Sequence, residues 1–147
     1  MDEKVATTAA AMGAVSVSAA DAIIVLNRDL MFGVRIGNGL RAIGYQVAFV
    51  ATTEQFATRL REDRPTPVLG ILDMNGVVDW TAISGLVADP QVATPILAFG
   101  PHVDVENRRA AKQAGVTRIV SNGDFHQGMI ALVQRYAATP AVGGVND

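Results

Sequence analysis

Cysteine is absent from the 147 residues, which excludes a disulfide framework, a thiolate metal site and a cysteine nucleophile. Lysine is nearly absent too: only Lys4 and Lys112 occur, and the arginines are scattered along the chain. With a net charge of -2 there is no basic stripe to attract a polyanion, so nucleic acid is not expected as a partner. No apolar run approaches the ~20 residues needed to cross a bilayer, so no membrane association is expected either. The two histidines, His102 and His126, stand too far apart in the chain to suggest zinc, and His126 is expected at the surface. There is no Gly-Lys-Ser/Thr phosphate loop and no Ser-His-Asp order at strand ends. Without an evident acid–base or nucleophile pair, the expectation is that the chain is not an enzyme. The Gly37–Gly39 stretch "GNG" interrupts a helical pattern rather than preceding one, and is expected to permit close packing.

What is present is a regular alternation. "AIIVL" (Ala22–Leu26) is a continuous β-branched run, as expected of a strand covered on both faces. Leu30, Val34, Leu40 and Ile43 follow at roughly helical spacing until Gly44. "YQVAFV" (Tyr45–Val50) predicts a second strand. Thr52 and Gln55 then have the spacing of a capping box, opening a helix that Pro65 and Pro67 cannot continue. "VLGILDMN" gives a third strand that surfaces at Asp73. A short helix is predicted over Trp80–Val87, with Trp80 packing in the core, and "PILAF" (Pro95–Phe99) makes a fourth strand. Asp104 is suited to cap a helix ending at Gly115, "TRIV" (Thr117–Val120) makes a fifth strand, and Asp124 is expected to cap a last helix to Tyr136.

Five apolar strands alternating with five helices predict an α/β fold, a flavodoxin-like, doubly wound parallel sheet in the order 2-1-3-4-5 with helices on both faces. Residues 21–137 form the domain. Residues 1–20 are expected to be an N-terminal arm; their leading acids and interrupting polar residues do not match a secretion signal. Residues 138–147 are expected to be a tail. The absence of cysteine fits a cytoplasmic location.

In such a sheet, ligands bind beyond the carboxyl ends of the strands, beside the reversal in strand order. Four clusters line that crevice: Asn27, Arg28 and Asp29 after strand 1; Asp73, Met74 and Asn75 after strand 3; Gly100, Pro101 and His102 after strand 4; Ser121, Asn122 and Gly123 after strand 5. Asp29 is placed to cap helix 1.

The order and lengths of these elements resemble the receiver domain of two-component response regulators from Ala22 to Tyr136. The likeness is carried by "VLNRDLMFGVRIGNGLRAIGY", "GILDMN", "PILAF" and "AAKQAGVTRIV". The resemblance implies that Asp73 holds the phospho-acceptor position. It also implies an acidic pair for Mg²⁺ after strand 1, where this chain has Asn27 and Arg28. A Ser or Thr is implied after strand 4, where it has Gly100, and a Lys after strand 5, where it has Asn122. The loop after Asp73 is shorter and lacks the Met-Pro…Asp-Gly sequence.

Transfer of a phosphoryl group is catalysed almost wholly by positioning and charge stabilisation, and a hard cation needs oxygen ligands. The expectation is therefore a degenerate, stand-alone receiver-like signalling or interaction module, without a cofactor and not phosphorylated by the Mg²⁺ route. Arg28 either forms a bidentate pair with Asp73 in place of a metal or extends into solvent. By resemblance, the implied partner is a signalling protein. A homodimer face is expected around Arg108, Arg109, Lys112 and Arg118, with Glu106 and Asp124 as complementary charges. Two alternatives stay open: a response regulator phosphorylated on Asp73 with atypical Mg²⁺ ligation, and a small-molecule or nucleotide binder using the polar crevice residues.

Overall fold

The structure is a computed structural model that describes residues 21–138; the expected arm and all but the first residue of the expected tail lie outside them. The strands are β1 (Ala22–Leu26), β2 (Gln46–Val50), β3 (Leu69–Asp73), β4 (Ile96–Gly100) and β5 (Arg118–Ser121). The helices are α1 (Leu30–Ala42), α2 (Thr53–Glu62), α3 (Trp80–Ala88), α4 (Val105–Ala114) and α5 (Asn122–Tyr136). All strand pairs are parallel, in the order β2-β1-β3-β4-β5. This is the doubly wound fold that the alternation predicts.

The alternating pleat splits each apolar run between two cores. Ile24 and Leu26 face one side, with Leu72, Ala98 and residues of α2, α3 and α4. Ile23 and Val25 face the other, with Ile71, Phe99 and residues of α1 and α5. The central β3 and β4 are buried at every residue, whereas the edge strands β2 and β5 are not. On the β2 edge, the Arg41 guanidinium donates to the Val47 carbonyl and lies over the Phe49 ring. A charged group on an outward carbonyl blunts an edge that could otherwise template another strand.

The helix termini follow from local chemistry. Asp29 accepts from the Met31 and Phe32 amides at the start of α1. Thr52 and Gln55 form the expected reciprocal capping box on α2. Asp104 caps α4, and Gly115 ends it at φ 90°, a left-handed conformation that costs glycine least. One cap differs from expectation. Ser121, not Asp124, opens α5: its hydroxyl accepts from the Asp124 amide at 3.0 Å, which makes Asp124 the third helical residue. A Ser three residues before an acid competes with that acid for the cap, and the end of β5 places the Ser there first.

The glycines of α1 do permit close packing. A Cβ at Gly39 would lie 2.7 Å from Met129 Cε, which is how α1 approaches α5. In the sheet, a Cβ at Gly70 would lie 2.7 Å from Phe56 Cζ and 3.0 Å from Leu60 Cδ1, so glycine lets α2 lie against β3. No helix among the described residues is long and apolar enough to cross a membrane.

Candidate functional site

Asp73 ends β3 with no solvent exposure, at the point where β1 and β4 flank it. A buried carboxylate must be hydrogen-bonded or its burial is costly. Here both oxygens are committed. Oδ2 accepts from the Arg28 backbone N–H at 3.0 Å. Oδ1 accepts from the Asn75 backbone N–H and from Asn75 Nδ2, both at 2.7 Å.

Asn75 does not stop at Asp73. The other Nδ2 proton goes to Asn122 Oδ1, and Asn122 Nδ2 donates back to Asn75 Oδ1, each at 2.9 Å. The two amides thus form a closed pair joining the β3 and β5 ends of the crevice, 47 residues apart in sequence. Asp73, Asn75 and Asn122 are brought together as one cluster; the amide pair is a lid over the acid.

The last residue of β4 closes the crevice from the side. A Cβ added at Gly100 would lie 3.0 Å from Met74 Cβ and 3.2 Å from Met74 Cε. Met74 is 1% exposed and belongs to the core beneath α3 and α4. Its carbonyl accepts from Asn107 Nδ2 at 3.3 Å, and Asn107 Oδ1 accepts from the Trp80 indole N–H at 2.9 Å. Asn107 also donates to both carboxylate oxygens of Asp104. It therefore connects the end of β3 to α3 and α4. Sequence reasoning missed Asn107; an Asn three residues after a capping Asp was the available signal.

One sequence expectation is overturned here, that for His126, and of the two readings of Arg28 the bidentate pair is not the one formed. Arg28 does not pair with Asp73 through its guanidinium, which instead donates to the Val77 carbonyl and lies against Gly76; the backbone amide makes the Asp73 contact. His126 is not a surface residue. Its ring lies 4.1 Å from Phe32, tilted by 38°, stands edge-on to Phe99 and Phe125, and has both nitrogens buried without a partner. Burial pulls its pKa below the ordinary value, with Arg35 acting in the same direction and Asp73 and Asp29 opposing. Trp80, half-buried, packs against the core as expected, with its indole nitrogen held by Asn107.

The remaining candidates scatter. Asp29 is spent on the α1 cap, Ser121 on the α5 cap, and His102 is exposed in the turn after β4. Asn27 donates to the Asp29 carbonyl at 2.7 Å, which leaves its own Oδ1 buried and without a donor. Arg109, Lys112 and Arg118 are exposed on the α4–β5 face, and Arg108 is half-buried with Nη1 unpartnered.

Whether these donors suit Mg²⁺ can be judged from the oxygens. Asp73 has both engaged by N–H groups, Asn27 offers one neutral amide oxygen, and no cluster of three metal-ligating acids or histidines exists among the described residues. A hard dication held mainly by carboxylates does not fit this set.

No family model and no curated protein matches the chain. Solved structures do. A chemotaxis protein of Vibrio cholerae superposes with a TM-score of 0.66 at 17% identity, over 79% of this chain and 98% of that one. The receiver domain of a Pseudomonas aeruginosa sensor histidine kinase, with magnesium coordinated in its active-site cleft, gives 0.66 at 18% identity, over 79% and 96%. A streptococcal protein described as a redox sensor evolved from two-component response regulators gives 0.64 at 15% identity, over 79% and 50%. At such identities the likeness establishes the fold, which is that of receiver domains.

Proposed function

We propose that the chain is a receiver-like signalling or interaction module in which Asp73 is a structural acid rather than a phosphate acceptor. The observation that carries this reading is the lid: Asp73 is fully buried, both its oxygens accept N–H donors, and the Asn75–Asn122 amide pair covers it. An incoming phosphoryl group would need one of those oxygens, space beside Gly100 that Met74 fills, and a cation the donor set does not suit. Such a module transmits by contact with protein partners and has no turnover of its own. We include in this proposal a two-fold contact through the α4–β5 face, supported by exposed Arg109, Lys112 and Arg118 beside Glu106.

The test of the central claim is incubation with acetyl phosphate and Mg²⁺, followed by intact-mass measurement; no phosphoryl adduct is expected. A stoichiometric adduct mapped to Asp73 would overturn it. Charge reversal by Arg109→Glu, read by analytical ultracentrifugation, tests the dimer: the expected result is a shift from dimer to monomer. One observation favours the alternative of atypical cation ligation, namely the free Asn27 Oδ1. The small-molecule alternative finds less support, because Asn75 and Asn122 use their hydrogen-bonding groups on each other.

A further inference from the structure

Both halves of the lid are asparagines followed by glycine, Asn75–Gly76 and Asn122–Gly123, and a third such pair, Asn38–Gly39, lies inside α1. An Asn-Gly peptide can cyclise because glycine offers no Cβ to shield its nitrogen. Cyclisation requires a backbone that can fold back on the side chain, which a helical residue lacks. Asn38 and Asn122 are helical; Asn75 is an exposed loop residue.

The surroundings of Asn75 supply more than freedom. Its Oδ1 accepts a hydrogen bond from Asn122 Nδ2, so charge developing on that oxygen has a donor in place. Its Nδ2 is held by the Asp73 carboxylate. The Arg28 guanidinium lies against Gly76, where its positive charge favours loss of the Gly76 amide proton. The Gly76 N–H itself donates to no other group in the described structure.

We propose that Asn75 is a self-modification site at which deamidation replaces the lid amide by a carboxylate. The Gly76 nitrogen loses its proton and bonds to Asn75 Cγ, the Cγ–Nδ2 bond breaks, and ammonia leaves with that proton. Water then opens the cyclic imide at either carbonyl, giving an aspartyl or isoaspartyl residue. One water is consumed and one ammonia released, with no oxidant or cofactor. The product has lost the donor that served Asp73 and Asn122, and sets a second carboxylate beside the first. Like charges at that distance repel, and the lid opens. The inference stands on the lid geometry and not on the signalling reading.

The three Asn-Gly pairs fall between different arginines, so tryptic peptides resolve them. The folded protein is aged in mildly alkaline buffer and sampled for amide-to-acid conversion and for isoaspartate by enzymatic methylation. Asn75 is expected to convert about tenfold faster than Asn38 or Asn122, a modest effect for positioned groups. Arg28→Gln is expected to slow it several-fold. Gly76→Ala, whose Cβ meets only the Arg28 guanidinium, nearest at Nη1 at 3.4 Å, and needs no left-handed backbone, is expected to suppress it. In urea the three rates converge. Equal rates at the three sites in the folded chain, or an unchanged rate in Arg28→Gln, would overturn the proposal.

Discussion

Truncating Asn75 to alanine isolates what the lid contributes. The side chain makes three hydrogen bonds: one from Nδ2 to the buried Asp73 carboxylate and two with the Asn122 amide. A bond to a charged group contributes about 1.5–3 kcal/mol, whereas neutral bonds at the solvent edge stand at the low end of about 0.5–1.5 kcal/mol each. Asp73 keeps two backbone donors in the variant, so the loss is partial. The expected cost of Asn75→Ala is about 2–3 kcal/mol. Asn122→Ala removes only the amide pair and is expected to cost about 1 kcal/mol. Asn75→Asp keeps the shape but turns a 2.7 Å donor contact into a contact between carboxylates, so it should cost more than the alanine.

Urea unfolding with linear extrapolation measures all three, and unchanged slopes would show that the native state is the one affected. The double variant Asn75→Ala, Asn122→Ala should show a coupling of about 1 kcal/mol, because the amide pair is counted in both single variants. The reasoning is refuted if Asn75→Ala costs no more than Asn122→Ala, or if Asn75→Asp is the mildest of the three. Either result would mean that Asp73 is satisfied without the lid.

Other consequences can be read independently. Burial lowers the pKa of His126 in the fold, so the unfolded chain binds more protons as pH falls through the ordinary value of 6.5. Stability should be full above that pH and fall as pH drops from 6.5 toward the lower folded pKa; His126→Phe should flatten this slope in urea midpoints measured across the window. Gly70→Ala should cost about 1–3 kcal/mol, because it meets the packed Phe56 ring, while Gly39→Ala should cost less, because its close contact is with the far end of the Met129 side chain, which can swing aside. Thr52→Ala breaks both halves of the α2 capping box and should lower stability by about 1 kcal/mol, with helix loss visible in thermal melts followed by circular dichroism.

The fold was legible because its determinants are local. Ile23 to Leu26 are buried without a break, as a strand covered on both faces requires, and Thr52 with Gln55 capped a helix as their spacing promised. Gly44 and Gly115 end α1 and α4 at φ 103° and 90°, where side chains fit poorly. The site was less legible because its determinants are not periodic. The pairing of Asn75 with Asn122 spans 47 residues and leaves no pattern in either segment. The burial of His126 depends on Phe32 from α1 as well as on its own neighbour Phe125. Arg28 offered two donors, backbone and guanidinium, and residue type alone could not say which of them Asp73 would receive.

Taken one at a time, the departures from the receiver pattern look like losses, but the geometry makes them interdependent. A lysine at position 122 could donate to Asn75 Oδ1 but could not accept from its Nδ2, so half of the amide pair would go unmatched. A hydroxyl residue at position 100 would bring a Cβ within 3.0 Å of Met74 Cβ, an atom fixed to the backbone and unable to swing aside. Gly100→Thr alone should therefore cost about 1–3 kcal/mol by overpacking. Combined with Met74→Ala it should cost less than the sum of the two single changes, because the alanine removes the Cε contact and loosens the rest. Urea midpoints for the two single variants and the double variant measure that coupling. Strict additivity would separate Gly100 from Met74 and leave the closed side of the crevice unexplained. A positive coupling would mean that the glycine ending β4 and the methionine after β3 depend on each other, so that introducing one receiver residue disrupts the crevice before it can supply any chemistry.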